Sequence, residues 1–177
     1  MYFFHKNIII KILKKSVKNS LEFVYPPLCI LCDTVLRDES DWLCIECKEK
    51  LNKNHKEREG CTICAMNKKK HSCSCDKFAD FNFTRAFSFF DYDSTVHDLV
   101  HQFKYKSKSR LAYYFGKEFG YLIPDDFLGD ADVIIPVPLH FLRRMQRGYN
   151  QAEYFARGIV QSLNRKIPYL KNVLKRV

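Results

Sequence analysis

The sequence lacks any long uninterrupted apolar run. Its first 15 residues hold only two short ones, Tyr2–Phe4 and Ile8–Ile10, separated by His5 and Lys6. A membrane-spanning helix needs about 18 to 20 apolar residues in succession, so the sequence predicts no such helix. The pattern of a cleavable secretory signal is also missing at the start. We therefore expect a cytoplasmic protein, in which cysteine thiols stay reduced.

The middle of the chain has no net charge, although the whole chain carries +10. Residues 25–80 hold ten basic and ten acidic side chains, and residues 81–128 hold six of each. The excess lies at the two ends, with +4 in residues 1–24 and +6 in residues 129–177. Nucleic acids bind through clustered basic side chains. The middle of the chain is therefore a poor phosphate-binding surface by itself.

Eight cysteines form four close pairs in this neutral region. The pairs are Cys29-x2-Cys32, Cys44-x2-Cys47, Cys61-x2-Cys64 and Cys73-x1-Cys75. In a reducing compartment such pairs are typical of zinc sites, since each C-x2-C turn supplies two thiolate ligands. Sequential pairing predicts two structural Zn²⁺ sites, the first built from the first four cysteines and the second from the last four. The spacing also allows an interleaved pairing, and His71 lies close enough to replace Cys73 or Cys75.

The periodicity of apolar residues predicts four amphipathic helices outside the cysteine region. One lies within residues 1–24 and has a basic opposite face. The others run from Val96 to Phe103, from Leu111 to Leu122 and from Ala152 to Leu163, where apolar side chains recur at helical spacing. Asn150 is the predicted N-cap of the last of these helices.

Two strands and a basic loop complete the predicted second half. Residues 85–92 are rich in aromatics and residues 132–138 form an apolar run that ends in prolines, so both are predicted as strands. Helices alternating with strands indicate an α/β fold with parallel crossovers. A polar loop at residues 143–149 follows the second strand and precedes a helix, where phosphate groups commonly bind. Its candidate phosphate ligands are Arg143, Arg144 and Arg147.

Taken in order, these motifs resemble the ComF family of bacterial proteins, which are tied to competence and DNA uptake. The matching segments are Pro26-Pro27-Leu28-Cys29-x2-Cys32, the later cysteine pairs, Phe103-Lys104-Tyr105, Ile135-Pro136-Val137-Pro138 and Arg147-Gly148-Tyr149-Asn150-Gln151-Ala152. The resemblance covers about residues 21–177. It implies an N-terminal double zinc ribbon followed by a Rossmann-like type I phosphoribosyltransferase domain.

The resemblance also implies domain boundaries and ligands. It implies the double zinc ribbon in residues 25–80 and the N-terminal part of the phosphoribosyltransferase-like domain in residues 81–177. The N-terminal amphipathic helix in residues 1–24 is expected from apolar periodicity. In an intact enzyme of this kind, phosphoribosyl pyrophosphate would bind with Mg²⁺ on its pyrophosphate, and the three arginines would neutralise phosphate charge. The acceptor substrate is not indicated by the sequence.

Two departures from the family pattern affect the expected function. The last cysteine pair is C-x1-C where the family usually has C-x2-C. The sequence also has no strand followed by two acidic residues and a Thr-Thr-Gly-like turn, the family's substrate loop. These departures predict a C-terminally truncated copy that is not catalytic by itself. The alternatives are a zinc-stabilised adaptor for protein or single-stranded nucleic acid, and a non-functional gene fragment.

Overall fold

The structure is a computed structural model that describes residues 25–38, 42–56, 59–69, 73, 75, 83–105, 109–129 and 131–176. The chain divides into two compact units, Met1–Lys48 and Glu49–Val177. The helix predicted within residues 1–24 lies outside the described residues. The predicted domain boundaries after residues 24 and 80 stay predictions.

Helices make up most of the regular structure in these ranges. They are α1 (Ile45–Lys56), α2 (Ser94–Tyr105), α3 (Ser109–Gly120), α4 (Asp125–Leu128), α5 (Phe141–Arg147) and α6 (Gln151–Ser162). Strand-like pairing in the described part of the chain consists of isolated bridges: Leu28 with Val35, Gly60 with Asn67, and Ile134 with Tyr169. The described residues are therefore mainly helical, and the predicted Rossmann-like α/β sheet is not confirmed.

The two segments predicted as strands have other structures. Residues 85–92 form bends and extended backbone, and their aromatic rings pack on helices. The ring pairs are Phe87 with Phe127 at 5.3 Å, Phe90 with Phe119 at 4.8 Å and Phe89 with Phe155 at 5.9 Å between centroids. Residues 132–138 contribute one parallel bridge, at Ile134. Proline has no backbone N–H to donate, so Pro136 and Pro138 limit further pairing there.

Three of the predicted helices are confirmed as α2, α3 and α6. A side chain supplies a cap at the start of two of them, which satisfies a backbone N–H that the helix itself leaves unpaired. Asp93 Oδ1 accepts a hydrogen bond from Val96 N at 2.8 Å at the start of α2. The predicted N-cap, Asn150, accepts from Ala152 N at 3.1 Å with its Oδ1 at the start of α6.

Helices α3 and α6 pack with their backbones in close contact. A Cβ atom added at Gly116 would lie 2.1 Å from Phe155 O, and one added at Gly158 would lie 2.2 Å from Tyr113 O. Both distances are far below van der Waals contact. The two glycines therefore permit a helix crossing that no larger residue would allow, and this crossing fixes the position of α6.

Apolar side chains fill the space around this crossing. Leu99, Leu111 and Phe115 are almost completely buried, and each stabilises the fold by about 1.5 to 3 kcal/mol relative to an exposed side chain. The Phe115 ring lies 5.2 Å from that of Phe119 and 5.4 Å from that of Phe103. The core of the Glu49–Val177 unit is thus aromatic and lies between helices.

The basic segment predicted as a loop is largely a helix, which corrects the prediction for residues 143–149. Helix α5 begins after His140, whose ring accepts a hydrogen bond from Leu142 N, and it ends at Gly148. Gly148 has φ of 73°, a left-handed conformation that glycine adopts without strain. Arginine and leucine are good helix formers, so local propensity favours the helix once its two ends are capped.

Candidate metal centres and a basic helix

The first pair of cysteines lies in a tight turn closed by backbone hydrogen bonds. Cys29 N donates to Thr34 O at 2.8 Å, Asp33 N donates to Cys29 O at 2.9 Å, and Leu36 N donates to Pro27 O at 2.8 Å. Asp33 has φ of 57°, which lets the chain reverse within a few residues. The turn therefore directs both thiols of the pair towards one point.

The third pair of cysteines repeats this turn 32 residues later. Cys61 N donates to Met66 O at 2.8 Å, Ala65 N to Cys61 O at 2.8 Å, and Lys68 N to Glu59 O at 2.8 Å. Ala65 takes the same left-handed conformation, with φ of 59°. These three hydrogen bonds join the same positions as in the first turn, shifted by 32 residues. The two turns are copies of one knuckle structure, although apart from the cysteines no residue of 27–36 is identical to its counterpart in 59–68.

The other two pairs complete each group in different ways. In the first group, Cys44 precedes α1 and Cys47 lies in its first turn, while Ile30 N donates to Trp42 O at 3.0 Å and holds the approaching segment against the knuckle. In the second group, the ligands come from the shorter Cys73-x1-Cys75 pair. Each group of four has its sulfur atoms within 4.8 Å of one another. The sequential pairing is confirmed.

The sulfur geometry fits a tetrahedral zinc ion at both groups. A Zn–S bond of about 2.3 Å gives sulfur atoms about 3.8 Å apart. Cys32 and Cys44 lie 3.5 Å apart, and in the second group Cys61–Cys75, Cys64–Cys73 and Cys64–Cys75 are separated by 3.5, 3.5 and 3.8 Å. The exception is Cys73–Cys75 at 2.7 Å. Zinc would require these two sulfurs to separate by about 1 Å. A side-chain rotation can supply this movement, because Cys73 is exposed and Cys75 is half-buried.

The thiols in each group differ in acidity. Hydrogen bonds from the Thr34 side chain and backbone lower the pKa of Cys32 to about 6. The backbone N–H groups of Cys64 and Ile63 similarly lower the pKa of Cys61 to about 6. Burial raises the pKa of Cys47, and hydrogen bonding with Cys73 raises that of Cys75. Each group thus contains one thiol whose pKa is lowered and at least one whose pKa is raised and which zinc would have to deprotonate.

Four thiolates fill the coordination sphere of zinc and leave no position for water or substrate. If zinc binds, each group would therefore be a structural site that ties two chain segments together. His71, the predicted substitute ligand, lies outside the described residues. The second group is complete with its four cysteines.

The three predicted phosphate ligands lie on α5. Arg143 and Arg144 are exposed and Arg147 is half-buried, and their spacing places them on one face of the helix. The other face of α5, where Phe141, Leu142 and Met145 are exposed, was not predicted from the sequence. Residues 141–147 have the order Phe-Leu-Arg-Arg-Met-Gln-Arg. This order separates apolar from basic side chains at helical spacing and could have predicted a short amphipathic helix.

Within the described ranges, every helix is too short or too polar to cross a membrane. The class of protein indicated by the site is thus one with two four-cysteine groups suited to structural zinc and an exposed basic helix.

Comparison with known proteins gives one relevant similarity. Over 46 residues, which are 26% of this chain, the sequence is 46% identical to competence protein F of Haemophilus influenzae. The match covers 19% of that protein, about a fifth of its length. No protein-family model matches the chain, and no solved structure matches it significantly. The partial similarity and the two four-cysteine groups fit a ComF-like protein.

Proposed function

We infer that this chain is a ComF-like, zinc-stabilised protein that supports DNA uptake during competence. The observation that carries the proposal is the pair of four-cysteine groups built on copies of one knuckle, together with the similarity to competence protein F. In this proposal residues 25–80 form a double zinc ribbon and the cysteines bind two structural Zn²⁺ ions. Reduced thiols are needed for such sites, so the proposed location is the cytoplasm.

The proposal has a structural test and a biological one. Protein purified without added metal is expected to contain two zinc ions per chain, measured by mass spectrometry of the metal, with all eight thiols protected from alkylation. Deletion of the gene is expected to lower the transformation frequency with a selectable DNA marker. Wild-type protein should restore transformation, whereas Cys29→Ser should not. Unchanged transformation after deletion would contradict the competence role.

For residues 81–177 we infer a phosphoribosyltransferase-like scaffold, with Arg143, Arg144 and Arg147 as phosphate ligands. The arginines suit phosphate because guanidinium groups donate paired hydrogen bonds to it. Phosphoribosyl pyrophosphate with Mg²⁺ is the proposed ligand of the intact enzyme form. The proposal assigns no catalytic step to residues 1–177. Release of pyrophosphate above background, in an assay with labelled phosphoribosyl pyrophosphate and Mg²⁺, would contradict that assignment.

A second candidate function is that of a non-catalytic adaptor that binds a protein or single-stranded nucleic acid. The specific observation in its favour is α5, which has no buried residue and exposes both apolar and arginine side chains. A solvent-exposed helix of this composition commonly marks an interaction surface. Electrophoretic mobility shifts with an oligothymidylate test the nucleic-acid form. Binding should weaken steeply with salt and with Arg143→Gln and Arg144→Gln.

A further inference from the structure

Helix α5 and Val137, which precedes it in the chain, form a surface that is apolar on one side and basic on the other. Its apolar side chains are 61 to 69% exposed: Val137, Phe141, Leu142 and Met145. On a helix of 3.6 residues per turn, the last three of these share one face. Arg144, three residues after Phe141, borders this face, and Arg143 and Arg147 lie farther round the helix. We call Val137 together with α5 the basic–apolar surface.

This surface is held firmly at both ends. The Tyr149 hydroxyl donates to Phe103 O in α2, and Asn150 Nδ2 donates to Val137 O at 3.0 Å. Gly148 N donates to Arg144 O at 2.8 Å and closes the last turn of α5. A surface that is already ordered loses little conformational entropy on binding. The exposure of its apolar residues is therefore a feature of the folded unit and not of a frayed end.

Two chain segments at the surface carry charge of one sign. Residues 137–147 contain three arginines and no acidic residue, and residues 170–176 add Lys171, Lys175 and Arg176, again without an acidic residue. The second segment begins at Leu170, whose N donates to the O of Ile134, three residues before Val137, at 3.1 Å. It also exposes Leu170, Val173 and Leu174. Both segments thus combine exposed apolar side chains with unbalanced positive charge.

We propose that the basic–apolar surface binds an acidic amphipathic helix of a partner protein, whose apolar face packs on Phe141, Leu142 and Met145. The partner's carboxylates would pair with Arg144, which borders the apolar face, while Arg143 adds positive charge nearby; this gives specificity and faster association. A seven-residue helix is about 10 Å long, which matches two turns of a partner helix read at i, i+3 and i+4. The proposal rests on the adaptor function described above and defines the class of partner.

The composition of the surface favours a protein over a nucleic acid. Single-stranded nucleic acids bind by stacking their bases on aromatic rings, and of the four exposed apolar residues only Phe141 is aromatic. Val137, Leu142 and Met145 are aliphatic. Aliphatic side chains offer no stacking plane but pack well against leucine side chains, and methionine adapts to differently shaped partners.

The test uses the full chain and a synthetic peptide. A fluorescein-labelled helical peptide carries glutamate on one face and leucine on the other, and its control is a scrambled peptide of the same composition with no continuous leucine face. Binding is followed by fluorescence anisotropy. We expect the amphipathic peptide to bind at least about tenfold more tightly than the scrambled one, since a few buried apolar anchors supply most of the binding energy.

Two double variants and one control assign the binding to the surface. Leu142→Ser with Met145→Ser should weaken binding of the amphipathic peptide about tenfold and leave binding of the scrambled peptide unchanged. Arg143→Gln with Arg144→Gln should weaken both peptides and flatten the salt dependence. Tyr121→Ser, at a residue that is 63% exposed after α3, should change neither.

Three outcomes would overturn the proposal. The first is equal binding of the two peptides, which would indicate charge attraction alone. The second is tighter binding to an oligothymidylate, or to vesicles containing phosphatidylglycerol, that is insensitive to the serine substitutions. The third is no detectable peptide binding. The zinc content of the same samples and the transformation frequency are measured separately. If the protein binds no peptide but contains two zinc ions and supports normal transformation, only this inference is rejected and the proposed function stands.

Discussion

Asn67, which is 5% exposed, donates a hydrogen bond from its side-chain amide to Asp91 Oδ2 at 2.5 Å. Its other amide atom, Oδ1, accepts from Lys69 N at 2.9 Å. Asn67 therefore connects the end of the second cysteine knuckle to the segment that leads into α2. Asn54 of α1 extends this connection, since its Oδ1 accepts from Asp91 N at 2.8 Å and its Nδ2 donates to Asp93 at 2.8 Å.

Replacement of Asn67 by Asp should destabilise the protein, because it places a second carboxylate against Asp91 in a buried position. We expect the free energy of unfolding to fall by about 1 to 3 kcal/mol, measured by urea denaturation of the zinc-loaded protein at pH 7. Adding Asp91→Asn should recover much of the loss, because the amide and the carboxylate have then exchanged places. Asn164→Asp, at an exposed site, is the matched control. A double variant no more stable than Asn67→Asp would contradict a direct interaction.

Zinc binding at the first cysteine group should tighten as the pH rises. Burial raises the pKa of Cys47, and although the backbone N–H of Cys47 favours the thiolate of Cys44, burial and the neighbouring sulfurs raise the pKa of Cys44. Raised pKa values mean that both thiols hold their protons at neutral pH, so zinc must displace at least two protons. The dissociation constant should fall about 100-fold per pH unit between pH 6.5 and 8.

The measurement is competition with a chromophoric chelator, in a Cys61→Ser, Cys64→Ser variant that retains only the first group. Calorimetry in buffers of different ionisation enthalpy counts the released protons directly. If fewer than two protons are released per zinc ion bound at pH 7.5, Cys44 and Cys47 are not both protonated before zinc binds, which would contradict the prediction. The Thr34→Val variant should raise the number of protons released, because the pKa of Cys32 would lose its largest lowering influence.

Gly158→Ala should destabilise the Glu49–Val177 unit far more than Gly148→Ala. The new methyl group at position 158 would lie 2.2 Å from Tyr113 O and 2.6 Å from Lys117 N, and these backbone atoms can move only if α3 and α6 separate. We expect a loss of about 3 kcal/mol or more.

At position 148 the added methyl meets no atom within 4 Å. The expected loss is about 1 to 2 kcal/mol, which comes only from the left-handed backbone conformation. Thermal unfolding followed by circular dichroism compares the two variants. Equal effects would mean that the helix crossing is looser than the structure shows.

Tyr149→Phe should weaken the attachment of α5 while leaving the helices around it intact. The Tyr149 ring is buried and its hydroxyl donates to Phe103 O, so the substitution leaves a partly buried carbonyl without this donor. We expect a loss of about 1 kcal/mol in unfolding free energy, and faster amide hydrogen exchange in α5 and at Gly148. Tyr121→Phe is the control, because its side chain is mostly exposed. Unchanged exchange in α5 would contradict an anchoring role for Tyr149.

Short-range patterns in the sequence predicted the cysteine pairs and three of the six helices in the described residues. A C-x2-C turn needs only a few residues to point two thiols at one place, so Cys29 with Cys32 and Cys61 with Cys64 were predictable from spacing. The helices α2, α3 and α6 follow from apolar periodicity, and Asn150 acts as the N-cap that its position before α6 predicted. These features depend on contacts between residues that are close in sequence.

The strands and the basic loop could not be predicted in the same way. The aromatic run Phe87–Phe90 has strand propensity, but its rings find more contact on Phe119 and Phe155 than a ladder would give them. Residues 143–147 look polar enough for a loop, yet α5 forms because His140 and Gly148 cap its ends. Local propensity is weak compared with packing, and its outcome depends on partners far away in the sequence.

The sequence by itself determined the eight candidate thiol ligands, the faces of the predicted helices and the positive ends of the chain. Only the tertiary structure decided that the cysteine pairs combine in sequential order, that Gly116 and Gly158 let two helices touch, and that Phe141, Leu142 and Met145 remain exposed beside the arginines. The physical reason is that these properties depend on which surfaces meet. A residue's type sets what it can bind or bury, whereas the distances between chain segments set whether it does so.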